Sequence, residues 1–215
     1  MLKVMNDNSF MKYYSDLSLR TRLFILLRWL ICPFDYIEKD VPNKGIIVDI
    51  GCGFGIFAHY LAVTSSERKV TGIDLLKHRI EQASRLGRNL TNIDFVCANI
   101  LDNRLPQADA ITSIDVLHHV PTKELQKKLL RDCYSILKEN GKIIIKDVDI
   151  KPLWKYWWNW LHDYIMTKGE PVKYQDKKTV ITMLQDVGFE FEKSKVIKGY
   201  PYSHIIYIAR KPIKK

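Results

Sequence analysis

The sequence lacks the cysteine pattern of a zinc site or a disulfide framework. None of its four cysteines, Cys32, Cys52, Cys97 and Cys133, forms a CxxC pair. Scattered thiols are typical of a reducing compartment, so we expect a cytoplasmic protein with free cysteines.

The sequence also lacks a long hydrophobic run. The longest apolar stretch, Leu23–Cys32, is interrupted by Arg28. It falls short of the roughly 20 residues that cross a bilayer. No apolar signal region follows Met1-Leu2-Lys3, which predicts that the chain is not secreted.

Acidic residues are scarce in the C-terminal part. From Lys151 onward the chain has 13 Lys and Arg but only 6 Asp and Glu, whereas residues 45–150 have 14 Lys and Arg and 13 Asp and Glu. The excess of positive charge suits solubility, an anionic membrane surface, an acidic substrate or RNA. The sequence lacks an Asn-Pro-Pro-Tyr segment, a cysteine after the fourth or fifth strand, and a separate RNA-binding module. These absences argue against nucleic acid as the partner.

What is present is an ordinary globular composition, 47% hydrophobic over 215 residues, which predicts one compact domain. Residues 46–50 predict a buried strand, the glycines at 51, 53 and 55 a tight turn, and residues 56–62 a helix. A strand, a glycine turn and a helix are typical of nucleotide-binding folds. Because Ile56 occupies the sixth place, the nicotinamide fingerprint is excluded.

Four more strands alternate with helices along the chain. Helices are predicted over 76–86 and from Thr122 to about 137, with Leu125, Leu129, Cys133, Ile136 and Leu137 facing the sheet and Asn140-Gly141 ending the second helix. The predicted strands are 69–74, 93–97, 108–114 and 142–148. This alternation predicts an α/β fold with a parallel, doubly wound sheet and helices on both faces.

The segment Asp49-x-Gly51-x-Gly53-x-Gly55 resembles motif I of the class I S-adenosylmethionine (SAM) methyltransferases of the small-molecule type. Over residues 45–150 the remaining motifs follow in the family's order. The resemblance implies a Rossmann-like, mostly parallel seven-stranded sheet of order 3-2-1-4-5-7-6, whose last strand is antiparallel. It also implies SAM as cofactor and S-adenosyl-L-homocysteine as product.

The resemblance assigns cofactor contacts at the carboxyl ends of the strands. Asp74 stands where an acidic side chain accepts from both ribose hydroxyls. Asn99 follows the third strand, in the segment that contacts the adenine in the resembling family and where an acidic residue is more common. The expected cofactor residues are Asp49, Gly51, Gly53, Asp74, Leu75, Asn99, Ile100 and Asp115.

Candidates for a catalytic base are His118, His119 and Asp147, which we favour, and His162, Tyr202 and His204 as alternatives. His118 and His119 follow the fourth strand, and their imidazoles titrate near neutrality, which suits proton removal. Asp147 ends the fifth strand on the acceptor side. Such a base is needed only when the acceptor carries a proton to lose.

Two segments flank the central domain of residues 45–215. Residues 1–44 are expected to form a helical lid or cap, because leucines recur at helical spacing from Leu19 to Leu30. An aromatic helical insertion is expected at about 151–175. Wound as a helix, it presents two aromatic faces, and the second requires a partner such as the N-terminal helix, an apolar substrate or a membrane. Expected substrate contacts are Tyr14, Arg28, Trp158, His162 and Tyr202.

The sequence thus predicts a SAM-dependent methyltransferase, without metal, acting on a small apolar, aromatic or lipid-like acceptor. The alternatives are an RNA or protein methyltransferase and a non-catalytic SAM-fold binding protein. An anionic membrane surface is a second expected partner, which adds membrane association as an alternative to a purely cytoplasmic location. Oligomeric state and the methylated atom stay open.

Overall fold

The computed structural model describes residues 18–100, 105–166, 169 and 172–214. Seven strands form one sheet in the order β3-β2-β1-β4-β5-β7-β6. The first five run parallel, and β7 lies antiparallel between β5 and β6. The predicted fold class and strand order are therefore confirmed. The strands are β1 Gly45–Ile50, β2 Arg68–Asp74, β3 Ile93–Cys97, β4 Ala108–Ile114, β5 Leu137–Val148, β6 Glu190–Ile197 and β7 His204–Arg210.

Helices cover both faces of the sheet. The helices are α1 Leu19–Ile31, α2 Phe34–Glu38, α3 Ile56–Thr64, α4 Lys77–Gly87, α5 Lys123–Ile136, α6 Leu153–Met166 and α7 Lys177–Val187. One core cluster joins α1, α2, α3 and α4 to one face, and a second joins α5 and α7 to the other. The side chains of Ser18, Thr122 and Asp176 accept backbone N–H bonds at the starts of α1, α5 and α7. Within the described ranges, no helix has the length and apolar character required to traverse a bilayer.

The buried face of α1 differs from the leucine stripe that predicted the helix. Ile25 and Trp29 are buried, whereas Leu19, Leu23, Leu27 and Leu30 are exposed. The Trp29 ring contacts Phe34 at 5.0 Å and Tyr60 at 4.8 Å between centroids. Large aromatic groups bury more apolar area than leucines, and their contacts fix which face turns inward.

The end of α5 and its sheet-facing side also differ from the prediction. Cys133 is buried and Leu129 and Ile136 pack against the core as predicted, but Leu125 is exposed, and Gln126 and Leu130 are buried in addition. Strand β5 begins at Leu137, and Asn140-Gly141 therefore lies inside the strand instead of ending the helix. Backbone hydrogen bonds of this pair with Lys211, 2.9 Å each, hold it in the sheet.

The aromatic insertion forms α6, but neither predicted aromatic face packs on the core. Trp154, Trp157, Trp158, Leu161 and Ile165 are all exposed, as are Trp160 and Tyr164. Among the side chains of α6 that the structure describes, the buried one is Asn159. Attachment of α6 therefore depends on its polar side, which faces the carboxyl ends of the strands.

Candidate active site

The carboxyl ends of the parallel strands open into one cavity of about 1120 Å³. Loops that follow β1, β2, β3 and β4 line it, together with residues of α1, α6 and the start of β7. All eight expected cofactor residues line this cavity, as do Arg28, His118, His119, His162 and Tyr202. Tyr14 lies outside the described residues. Trp158 and Asp147 are not part of the lining, so the structure brings together most, but not all, of the predicted site.

The glycine turn after β1 supplies a bare backbone surface to the cavity. Gly51, Gly53 and Gly55 have φ values of +63°, +56° and +74°, a region that favours glycine. A Cβ at Gly51 would lie 2.5 Å from Val116, and one at Gly55 would lie 2.6 Å from the Phe95 ring. A Cβ at Gly53 would meet no atom within 4 Å. Gly53 is therefore the glycine whose open side faces the space for a ligand.

Asp74 anchors the same turn. Its Oδ2 accepts from the Gly53 N–H at 3.0 Å, and its Oδ1 accepts from the Leu76 N–H at 2.9 Å. Each oxygen keeps a second lone pair for a ligand hydroxyl. Arg79 lies 3.8 Å from the carboxylate. The acid thus shapes the turn as well as offering acceptors to the cavity.

Asp49 is buried at the end of β1 beside this turn. Burial raises the pKa of its carboxyl to about 7, although the Thr112 hydroxyl, which donates to Oδ1 at 2.6 Å, opposes that rise. A carboxyl with this pKa is partly protonated at neutral pH. A cationic ligand group nearby would favour its charged form.

Asp115 is held by two cations, one from each side of the cavity. Lys146 of β5 forms an ion pair with its Oδ1, and Arg28 of α1 donates to its Oδ2 at 3.0 Å. Burial alone would raise the pKa of Asp115, but the charges of Lys146 and Arg28 hold it well below its usual range. Its backbone has a φ of +55°. This cluster ties helix α1 to the sheet.

His118 lies between two carboxylates. Its Nδ1 bonds Asp147, and its Nε2 lies 3.5 Å from Asp163 of α6. Burial alone would lower the pKa of His118, but Asp147, with Asp115 and Asp163, raises it above its ordinary value. The Tyr174 hydroxyl donates to Asp163 and closes the network. These contacts therefore favour the protonated form of His118.

Two other histidines stay neutral at the cavity. Burial and the charge of His118 lower the pKa of His119, whose ring lies 4.3 Å from that of His118. Burial, with Lys146 nearby, lowers the pKa of His204 to about 3. The His204 Nε2 donates to the Ile31 carbonyl at 2.7 Å, which leaves Nδ1 as a lone-pair acceptor. A lowered pKa favours the neutral imidazole, which is the form that can accept a proton.

Sequence reasoning missed two polar residues that line the cavity, Lys146 and Asn159. Lys146 directly follows the apolar run Ile143–Ile145 within β5, and a charge at such a position signals a buried ion pair. Asn159 lies among tryptophans, and no sequence signal distinguishes it. Its amide is buried at the cavity, and neither Oδ1 nor Nδ2 has a hydrogen-bond partner among the described residues.

Comparisons with known proteins agree with this geometry. Residues 48–145 match a family model described as a methyltransferase domain. The ubiquinone biosynthesis O-methyltransferase of Chromobacterium violaceum is 31% identical over 121 residues, which are 54% of this chain and 50% of that protein. Sphingolipid C9-methyltransferase B of Emericella nidulans is 25% identical over 182 residues, which are 79% of this chain and 34% of that protein. The chain thus spans half or less of the length of these relatives.

A solved structure shows the same fold over nearly the whole chain. Magnesium protoporphyrin IX methyltransferase from Synechocystis PCC 6803, with bound S-adenosyl-L-homocysteine, matches with a TM-score of 0.68 at 17% identity. The match covers 96% of this chain and 94% of that one. At 17% sequence identity, this match is evidence for the fold alone.

Proposed function

We propose that this chain, whose residues 48–145 match the methyltransferase-domain model, transfers a methyl group from S-adenosylmethionine (SAM) to a small acceptor. One observation carries the proposal: the open side of Gly53 adjoins the Asp74 carboxylate in a single cavity. A bare backbone beside an acid suits an adenosyl group, because the ligand lies against the chain while its ribose hydroxyls donate to the acid.

The residues on the two sides of the cavity have different roles in this proposal. Gly53, Asp74, Leu75, Asn99 and Ile100 would hold SAM, with Asp49 beside its charged end. When bound, SAM supplies a methyl group already activated by its sulfonium. The protein then has to orient the acceptor in line with that methyl and exclude water. Arg28, His162 and Tyr202, together with Asn159, border the remaining space, where the acceptor would lie.

Proton removal is assigned to a neutral histidine in this scheme. An acceptor O–H or N–H loses its proton as the new bond to the methyl carbon forms. His119 lines the cavity and its pKa is lowered, which favours the neutral base, whereas the contacts of His118 with Asp147 and Asp163 favour its protonated form. Of the three predicted catalytic residues, we therefore assign the base to His119 and a positioning role to His118 and Asp147.

The acceptor is proposed to be apolar, aromatic or lipid-like. The lining on the acceptor side includes Phe24, Leu27, Ile31 and Val148 beside a few polar groups. Such a mixture is typical of pockets that bury a ring or chain and fix one polar end. The names of the two relatives, a ubiquinone-pathway enzyme and a sphingolipid enzyme, are consistent with this class.

Calorimetry with SAM tests the cofactor assignment. We expect Asp74→Ala to weaken binding by about tenfold to a hundredfold, since hydrogen bonds to a charged group contribute roughly 1.5–3 kcal/mol. Asp74→Asn, which keeps one acceptor oxygen, should lose less. Asp94→Ala removes an exposed carboxylate from the neighbouring strand β3 and serves as the control. Equal affinity of Asp74→Ala and the wild type would refute the ribose assignment.

Labelled SAM tests the acceptor class. We expect the protein to transfer the labelled methyl to a small-molecule or lipid extract and not to RNA or protein. Label in RNA would favour the nucleic-acid alternative instead. SAM binding without transfer to any fraction would favour a non-catalytic binding protein.

A further inference from the structure

Two exposed apolar stripes flank the cavity. On α1, Leu19, Leu23, Leu27 and Leu30 are exposed along one side. On α6, the exposed stripe consists of Trp154, Trp157, Trp158, Leu161 and Ile165. We call these nine side chains the Leu–Trp surface. Leu27 also lines the cavity, and the opposite side of α6 supplies Asn159 and His162 to it.

The charges on these helices have one sign on their outer sides. Helix α1 contains no acidic residue, and Arg20 and Arg22 are exposed beside its leucines. The one acid of α6, Asp163, is turned inward to Tyr174 and His118. Lys151 is exposed just before α6, and the Lys155 Nζ lies 5.4 Å from the Trp154 ring centroid. The outer sides of α1 and α6 are therefore apolar with cations and no anion.

We propose that the Leu–Trp surface docks on a membrane that contains anionic lipids. An amphipathic helix with aromatic residues on one side and cations beside them is typical of binding in the plane of a bilayer interface. Tryptophan suits that depth, because its ring is apolar and its N–H remains hydrogen-bonded. Anionic headgroups attract the flanking arginines and lysines. Docking in this way places the cavity entrance toward the lipid.

Docking itself does not depend on methyl transfer. One consequence does rest on the proposed function: an apolar acceptor would enter the cavity from the bilayer, between α1 and α6. A protein partner would need a face that is both apolar and acidic to fit the same surface, whereas a lipid interface combines the two. A second copy of this chain would bring like charges together.

Vesicle flotation with tryptophan fluorescence tests the proposal. The probes are vesicles of phosphatidylcholine alone and vesicles with part of it replaced by phosphatidylglycerol. Four of the five tryptophans lie on α6, and the fifth, Trp29, is buried at 7% exposure. We expect a blue shift of the emission and quenching by brominated acyl chains, both stronger with the anionic vesicles, because only the α6 tryptophans can meet lipid.

Matched variants distinguish binding through the Leu–Trp surface from nonspecific adsorption to vesicles. Trp154 and Ile165 are 66% and 65% exposed, so Trp154→Gln with Ile165→Gln leaves the core intact. We expect the partitioning of this double variant into vesicles to weaken by at least about tenfold, since burial of one such side chain accounts for roughly a factor of ten. Ile213→Gln alters a side chain of similar exposure, 63%, beyond the end of β7, which lies beside the start of β5 and so at the opposite end of the strands from the cavity; this variant should bind as the wild type does. Arg20→Gln with Arg22→Gln should remove part of the preference for anionic vesicles and its sensitivity to salt.

Several outcomes would overturn the proposal. These are no flotation of the wild type, equal flotation of the Trp154/Ile165 double variant, and equal binding to neutral and anionic vesicles. A dimer in vesicle-free solution that the same double variant dissociates would assign the surface to a second copy. Because SAM affinity is measured separately by calorimetry, loss of the proposed function would leave the vesicle result standing.

Discussion

At the scale of single residues, the three glycines of the first turn are glycines for different reasons. All three have positive φ, so any side chain there costs roughly 1–2 kcal/mol. Gly51 and Gly55 also lack space, since a Cβ at either would approach other side chains to within 2.6 Å or less. Only at Gly53 would a side chain point into the cavity. The strand–turn–helix pattern predicts all three glycines but cannot assign these separate roles.

Substitution of these glycines should therefore separate binding from stability. We expect Gly53→Val to abolish SAM binding in calorimetry while lowering the free energy of unfolding by only about 1–2 kcal/mol. Gly55→Ala, matched for φ, should lower it further, by roughly another 1–3 kcal/mol, because its Cβ collides with Phe95 and Ala83. Thermal unfolding without ligand measures the difference. Retained SAM affinity in folded Gly53→Val would contradict this assignment.

At the scale of elements, the sequence predicts which segments are helices and strands better than which side of each helix is buried. Short, nearly continuous apolar runs predict β1 to β4 almost to the residue, because buried strands of a parallel sheet are apolar on both faces. In α1, the leucines outnumber the buried pair Ile25 and Trp29, and the pattern alone favours the wrong side. The difference arises from tertiary contacts of Trp29 with Phe34 and Tyr60, which no local pattern contains.

Helix α6 places a buried amide where a core helix would have an apolar residue. A buried amide with no partner costs free energy, so we expect Asn159→Leu to leave the free energy of unfolding unchanged or to raise it by about 1 kcal/mol. The same substitution should reduce methyl transfer, because the amide is proposed to bind the polar end of the acceptor. Parallel measurements of denaturant unfolding and of labelled-methyl transfer test both halves.

Asn92→Leu provides the control for this amide. Its Nδ2 donates to the carbonyls of Ala62, Ser65 and Arg68 at 3.0, 3.2 and 3.1 Å. The substitution should cost about 1–3 kcal/mol, because these carbonyls lose their donor. If Asn159→Leu destabilises the protein as much as Asn92→Leu does, Asn159 has a structural role and is not a ligand contact.

At the scale of the whole molecule, the site depends on pairings between distant parts of the chain. Sequence reasoning selected Asp115, Arg28, His118 and Asp147 individually, from their places at strand ends or on the lid. The ion pairs that join them depend on the register of β4 with β5 and on how α1 and α6 pack on the sheet. Those contacts distinguish two histidines that the sequence treats alike: the pKa of His118 is raised, and the pKa of its neighbour His119 is lowered.

This pairing predicts how stability changes with pH. The pKa of His118 is raised in the folded protein above its ordinary 6.5, so its contribution is complete below pH 6.5 and is lost as the pH rises through the folded value. The pKa of Asp115 is lowered below its ordinary 3.8, so its contribution is complete above pH 3.8 and is lost as the pH falls through the folded value. The pKa of Asp49 is raised from its ordinary 3.8 to about 7, so this carboxyl lowers stability progressively as the pH rises from about 3.8 to about 7. Stability should therefore be highest near pH 4 and decline on both sides of it.

The His118→Gln variant isolates the alkaline part of this profile. It should lose roughly 3–5 kcal/mol below pH 6.5, since it leaves Asp147 without its cation, and the deficit should shrink as the pH rises and the wild-type histidine loses its proton. The contributions of Asp115 and Asp49 largely cancel in the difference between the two curves. Urea unfolding of both proteins at a series of pH values measures that difference, with His78→Gln, an exposed histidine of α4, as the control. A deficit that stays constant across neutral pH would mean that His118 is neutral in the folded protein, and it would restore His118 as a candidate base beside His119.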